Sequence, residues 1–170
     1  MHTFLEFLEN LAFSQWVKNA PTIWAFPTIL IVHTLGMSIV AGVSAIISLV
    51  VLGFWPAVPI KPFERAFPLL WFGFGINAVT GTMMLIADAT TKLTMLDFYI
   101  KMGFVFAGLF ILIRMRRQIF EDPQIDKAPV SGNAKVLAWA SLACWFGAIT
   151  AGRLLAYLGP VSGLTNITNH

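Results

Sequence analysis

Four ionisable side chains lie inside or at the edge of long apolar segments of this sequence: His33, Asp88, Lys101 and Arg153. An ionisable group is costly within a bilayer, so each of them marks a candidate functional position. If successive apolar segments alternate in direction across the membrane, all four residues fall at a similar depth near the same end. The sequence therefore predicts a polar site that takes one residue from each of four helices.

The chemistry that these residue types favour is haem binding. A neutral imidazole is a common axial ligand of haem iron, which makes His33 the candidate metal ligand. Cationic side chains pair with haem propionates, so Lys101 and Arg153 are the candidate partners of those groups, and Asp88 would orient one of the cations. Met84 lies one turn before Asp88 at a depth near His33, so it is the candidate second axial ligand. A five-coordinate iron, or a ligand supplied by a partner, is equally open. We expect haem b on this basis, in electron transfer or porphyrin handling.

Other interpretations of the same residues remain open. The imidazole can simply hydrogen-bond a neighbouring helix, because buried polar groups need partners. Asp88 can form a structural ion pair with Lys101 or Arg153, and both cations can instead extend to the lipid headgroups. Cu(I) is the alternative metal, because Met37 lies one turn from His33 and a thioether with an imidazole suits that ion.

The composition indicates a membrane protein. Of the 170 residues, 58% are hydrophobic and 11% are charged, whereas an ordinary soluble domain is about 25% charged. The sequence contains no nucleophile–base motif typical of hydrolases and no phosphate-binding glycine loop, and nothing in it indicates nucleic-acid binding. Its single cysteine, Cys144, lies in an apolar segment and is expected to be a packing residue.

The apolar pattern predicts an all-α fold, an integral membrane four-helix bundle. Its transmembrane helices are expected over about 27–54, 63–88, 96–115 and 134–158. Residues 3–19 are amphipathic and too polar to span, so they predict an N-terminal helix in the interface, with Thr3 and Glu6 as a capping box. The acidic character of this helix favours packing on the protein or a partner over binding anionic lipid.

The distribution of basic residues predicts the orientation. One set of loops and helix ends carries most of them: Lys61, Arg65, Arg114, Arg116, Arg117, Lys127 and Lys135. The opposite side holds Lys18 and Lys92. The sequence therefore predicts a multi-pass protein of the bacterial inner membrane, with the basic loops in the cytoplasm, both termini in the periplasm and the His33 site in the periplasmic half.

Residues spaced by three and four predict which helix faces point into the bundle. On the first helix the expected interior face contains His33, Met37, Val40, Ala41 and Ser44, with Gly36 beside them. On the second helix it contains Gly73, Asn77, Thr80, Gly81, Met84 and Asp88. Those on the third and fourth helices are Lys101 with Gly108, and Phe146, Ile149 and Thr150 with Arg153. Small residues of the fourth helix are expected to form a surface for a partner membrane protein or a second copy of the chain: Gly147, Ala148, Ala151 and Gly152.

Three short motifs within residues 22–155 carry a family resemblance. They are Pro27…His33-Thr-Leu-Gly36…Gly42, Phe72…Thr80-Gly81…Asp88 and Phe98-Tyr-Ile-Lys101-Met…Gly108. The chain resembles a widespread bacterial group of small four-helix membrane proteins of unknown function. That group is similar to the membrane domain of copper-resistance D-type proteins, and distantly to the four-helix bacterial protoporphyrinogen oxidase.

The resemblance implies roles for two residues. His33 corresponds to the haem-ligand histidine of the oxidase, and Lys101 to its third-helix lysine. The additional histidine expected of the oxidase has no counterpart here, because the other histidines are His2 and His170. Haem binding, copper handling, and a non-catalytic role as a subunit or assembly factor of a larger complex are therefore the three functional hypotheses.

Overall fold

The computed structural model describes residues 9–19, 24–122, 125–126 and 129–158. The described chain is all-α, and its helices are α1 Ala12–Asn19, α2 Phe26–Leu52, α3 Phe67–Ala87, α4 Ala89–Thr94, α5 Leu96–Met115 and α6 Gly132–Leu158. Outside the described residues lie Thr3, Glu6, Lys127, His2 and His170. The predicted fold class is confirmed.

Four segments are long and apolar enough to cross a membrane: Phe26–Leu52, Lys61–Ala87, Leu96–Phe120 and Gly132–Leu154. This confirms the prediction of a multi-pass membrane protein. Many large apolar side chains on these segments are exposed on the isolated chain, Leu35, Phe72 and Phe106 among them. In a bilayer such side chains contact lipid, which is as apolar as the protein interior.

The second spanning segment begins differently from the prediction. Residues Lys61–Ala66 form a 3-10 helix, and the α-helix starts only at Phe67. The third spanning segment ends in a π-helical turn, Arg116–Phe120, which directly follows α5. Helix α4 was not predicted, because its sequence Ala-Thr-Thr-Lys-Leu-Thr is too short and polar to show an apolar period.

Helix α2 has clear start and stop signals. Pro27 lies in its first turn, where the missing N–H costs nothing. Gly53 ends it with φ 86°, and the N–H of Phe54 donates to Leu49 O at 3.1 Å while that of Gly53 donates to Val50 O at 3.0 Å. This is a Schellman motif, and its left-handed backbone is the reason for a glycine at that position.

The four long helices pack side by side in the order α3, α2, α6 and α5. Helix α3 packs along α2, α2 along α6, and α6 along α5. The closest approach is between α2 and α3, where a Cβ on Gly36 would stand 2.9 Å from Gly73 O and 3.0 Å from Asn77 N. Two glycines at facing positions therefore allow the backbones of α2 and α3 to approach closely, as small residues do in other membrane helix bundles.

Buried side chains concentrate towards one end of the bundle. We call this the basic end, defined by Lys61, Arg65, Arg114, Arg116, Arg117 and Lys135. Its core contains Ile47, Val51, Phe67, Met115 and Phe120, and a second apolar cluster fills the middle of the bundle. On α5 no residue before Gly108 is fully buried. Towards the opposite end, which contains His33, α5 is therefore only partly covered by the other helices.

Helix α1 docks on that opposite end. Val17 is buried against Ile29 of α2 and Ala87 of α3. Glu9, just before α1, accepts a hydrogen bond of 2.7 Å from the backbone N–H of Thr90 in α4. The amphipathic segment thus packs on the protein, as its acidic character favours.

Candidate functional site around His33

The imidazole of His33 is half-buried between α2 and α3, and one neighbour decides its protonation pattern. Its Nδ1 lies 3.0 Å from Oγ1 of Thr80. That hydroxyl lies 2.7 Å from Ile76 O, to which it donates its only proton. The Thr80 oxygen must therefore accept from the imidazole, so Nδ1 carries the proton and Nε2 keeps its lone pair.

Two further residues of α3 seat the same side chain. The Asn77 Nδ2 donates at 3.0 Å to the backbone O of His33. Gly81 faces the ring itself, because a Cβ at this position would lie 3.2 Å from His33 Cε1. Asn77, Thr80 and Gly81 all belong to the stripe predicted to face the interior, and the structure shows that this stripe surrounds the histidine.

Lys101 approaches the same region from the other helix pair. Its side chain lies on Gly152 of α6, where a Cβ would be 3.6 Å from Cε and 3.7 Å from Nζ. His33 and Lys101 both lie near the start of their helices, at the end of the bundle opposite the basic end. Within the described residues, no carboxylate forms an ion pair with Lys101. We call His33, Thr80 and Lys101 together the His33 site.

Asp88 takes a different partner from the one expected. It ends α3, and its carboxylate lies 3.6 Å from the Nζ of Lys92. The short helix α4 explains this pairing, because it places Lys92 one turn after Asp88 on the same face. Neither Lys101 nor Arg153 is therefore needed to balance this carboxylate.

Arg153 lies on the outer surface of α6 and is exposed. Its predicted face points outwards as well, since Phe146 is 74% exposed and Ile149 and Thr150 are also exposed. The prediction of this face as interior was wrong. The interior face contains Ser141 and Trp145, because α6 is apolar on both sides and only packing against α2 and α5 selects between them.

The two candidate methionines pack in apolar clusters. Met84 is half-buried against the cluster of Val17, Ile29 and Ala87 beneath α1. Met37 packs on the cluster in the middle of the bundle. In the part of the chain that the structure describes, no three His, Cys, Asp or Glu side chains come together as a metal-binding group.

The predicted partner surface on α6 was also wrong. Ala148 and Ala151 are buried in the bundle. A Cβ on Gly147 would lie 2.8 Å from the ring of Phe104, and Gly152 is covered by Lys101. These small residues let α5 approach α6, so they are already used within the chain.

Sequence reasoning missed two polar contacts that position the site. It placed Thr80 in the stripe without recognising that its hydroxyl sets the tautomer of His33. It did not single out Ser141, whose hydroxyl bonds Ser44 at 2.9 Å across α2 and α6 in the buried middle of the bundle. A buried serine on each of two facing helices is the only signal that the sequence offers for that bond.

No family model matches the chain, and no curated protein or solved structure matches it either. The functional argument therefore rests on the arrangement of the chain's own residues.

Proposed function

We propose that this protein binds a b-type haem at the His33 site and works in electron transfer or porphyrin handling. The contact between His33 and Thr80 carries this proposal. It assigns the proton to Nδ1 and leaves Nε2 as a lone-pair donor, which is the form in which histidine ligates iron. A hydrogen bond on the other ring nitrogen is the usual way to orient a ligating histidine.

The donor set favours a porphyrin over a bare metal ion. A metal held by protein side chains alone needs several converging donors, and His33 has no such companions among the described His, Cys, Asp and Glu residues. A porphyrin brings four nitrogen ligands, so one imidazole is enough to hold its iron. Met37, the methionine that would assist Cu(I), is occupied in apolar packing.

Lys101 supplies the second element of the proposal. A partly buried ammonium with no ion-pair partner among the described residues suits the carboxylates that a haem carries. Gly152 gives its stem room to lie against α6.

Each residue then has a physical task. Bound haem would supply one-electron chemistry, while Thr80 would hold the imidazole proton at Nδ1 and Lys101 would neutralise a carboxylate. The apolar helices around the His33 site would exclude water. The positive-inside tendency favours a basic end in the cytoplasm, which would put the His33 site near the periplasmic face of a bacterial inner membrane.

A visible absorption spectrum tests the proposal. The purified protein, supplemented with haem and recorded oxidised and reduced, should show a Soret band that His33→Ala abolishes. His170→Ala is the matched control and should leave the band unchanged. A wild-type protein without a Soret band after supplementation would overturn haem binding. Bound copper without porphyrin would favour copper handling, and co-purification with a larger complex without any cofactor would favour a subunit role.

A further inference from the structure

The basic end of the bundle contains an unusual backbone feature. Helix α5 passes directly into a π-helical turn, Arg116–Phe120. Such turns are rare and frequently occur at functional sites. This one packs against the 3-10 helix Lys61–Ala66, and the rings of Phe67 and Phe120 meet edge to face with centroids 5.2 Å apart. The π-helical turn and the 3-10 helix thus form one packed platform that carries Arg65, Arg116 and Arg117.

Two acidic side chains beside this platform already have partners. Asp126 accepts a hydrogen bond of 2.6 Å from the backbone N–H of Ile60, at the start of the 3-10 helix. Glu64 lies 3.1 Å from the Nζ of Lys61, which also donates to Phe120 O. These contacts stabilise the platform and engage Asp126, Glu64 and Lys61 internally.

The arginines of the platform have no such partners. Arg65, Arg116 and Arg117 are exposed, and none forms an ion pair within the described part of the chain. The guanidinium of Arg116 lies 5.7 Å from the ring centroid of Phe67. Stacking on a ring restrains a guanidinium and leaves its N–H edge free to bind an oxyanion. Arg65 also lines a surface cavity of about 510 Å³ between the 3-10 helix and Asp126.

The level of these arginines relative to the membrane favours lipid as the ligand. Trp55 and Trp139 at this end are 49% and 60% exposed, and exposed tryptophans typically lie at headgroup level. Arg114 lies 5.8 Å from the ring centroid of Phe110, which is itself 62% exposed on the lipid-facing surface. This position near the exposed tryptophans favours lipid phosphates as ligands of the guanidinium groups.

We propose that this platform is a binding site for the headgroup of an anionic phospholipid, with Arg65, Arg116 and Arg117 around the phosphate. Guanidinium groups bind phosphate in a bidentate manner, and clustered basic residues beside a membrane helix are typical of anionic-lipid recognition. The platform lies at the opposite end from the His33 site and does not depend on any cofactor.

The test uses the full-length protein in a neutral detergent, titrated with phosphatidylglycerol or phosphatidylcholine and read by native mass spectrometry. Phosphatidylglycerol should bind at least about tenfold more tightly. Each arginine should contribute about fivefold, so the double variant Arg116→Gln/Arg117→Gln should lose about 25-fold. Lys135→Gln removes one charge at the same end outside the platform, and should change the affinity by less than about twofold.

Further variants keep the result decisive. Arg116→Lys/Arg117→Lys retains both charges and should fold even if the glutamine variant does not, yet it should still lose several-fold affinity because an ammonium cannot bind phosphate in a bidentate manner. Equal affinity for the two lipids, an equal loss in Lys135→Gln, or lysine variants that bind like the wild type would each overturn the proposal. Displacement of the lipid by an equimolar soluble poly-glutamate peptide would overturn it in favour of an acidic protein partner.

Discussion

The Nδ1 of His33 and the Oγ1 of Thr80 stand 3.0 Å apart across the interface between α2 and α3. Because the threonine hydroxyl donates its proton to Ile76 O, its contact with Nδ1 determines which imidazole nitrogen keeps a lone pair. It also ties the candidate ligand to a neighbouring helix. The first three predictions test this site and assume haem as the ligand, and the fourth is independent of any ligand.

Replacing Thr80 with valine should weaken haem binding about tenfold or more, since losing the partner of a ligating histidine typically costs that much. The shape of the side chain is retained, so the helix pair should stay folded. Thr82→Val is the matched control, because Thr82 also donates to the carbonyl four residues earlier but is exposed. Haem titration followed at the Soret band measures both. An equal loss in the two variants would contradict a specific role for Thr80.

Adding a methyl group at Gly81 should crowd the imidazole. The new Cβ would lie 3.2 Å from Cε1 of His33, so the ring must shift by a few tenths of an ångström. We expect haem affinity to fall about tenfold in Gly81→Ala, which corresponds to the usual cost of overpacking. Gly75→Ala lies on the same helix with nothing near its Cβ, and should bind as the wild type does. Unchanged affinity in Gly81→Ala would place the bound iron away from His33.

Lys101→Gln should remove the discrimination between haem and its dimethyl ester. The wild type should prefer the free diacid roughly tenfold or more, because a hydrogen bond to a charged group contributes about 1.5–3 kcal/mol. The variant should bind both forms alike. Lys92→Gln is the control, since Lys92 is paired with Asp88. If the wild type itself bound diacid and ester equally, Lys101 would have no part in holding a carboxylate.

Gly36→Ala should destabilise the bundle by about 1–3 kcal/mol, the range for overpacking a close interface. Its Cβ would meet backbone atoms of Gly73 and Asn77, and these cannot move without separating α2 from α3. Gly42→Ala is on the same helix with open space at its Cβ, and should be neutral or slightly stabilising because alanine favours helix. Reversible unfolding in mixed micelles gives both values, and equal stabilities would disprove close packing at Gly36.

Some features followed from local sequence alone. The four spanning segments were predictable because length and apolarity are properties of a single stretch of chain. The interior stripe of α3 was predictable as well, since small and polar residues such as Gly73, Asn77 and Thr80 recur on one face. The bounds 96–115 agree with α5, whose start and end coincide with changes in polarity.

Only the tertiary structure decided how α6 is turned about its axis. Helix α6 is apolar on all sides, and lipid is as favourable a neighbour for apolar side chains as the protein core, so hydrophobicity could not choose its inner face. Close packing chose it instead, burying Ser141 and Trp145 and leaving Arg153 outside. Helix α4 likewise paired Asp88 with Lys92. The sequence determined that a histidine lies in a membrane helix. The packing of α2 against α3 determined that Thr80 forms a hydrogen bond with the Nδ1 of that histidine.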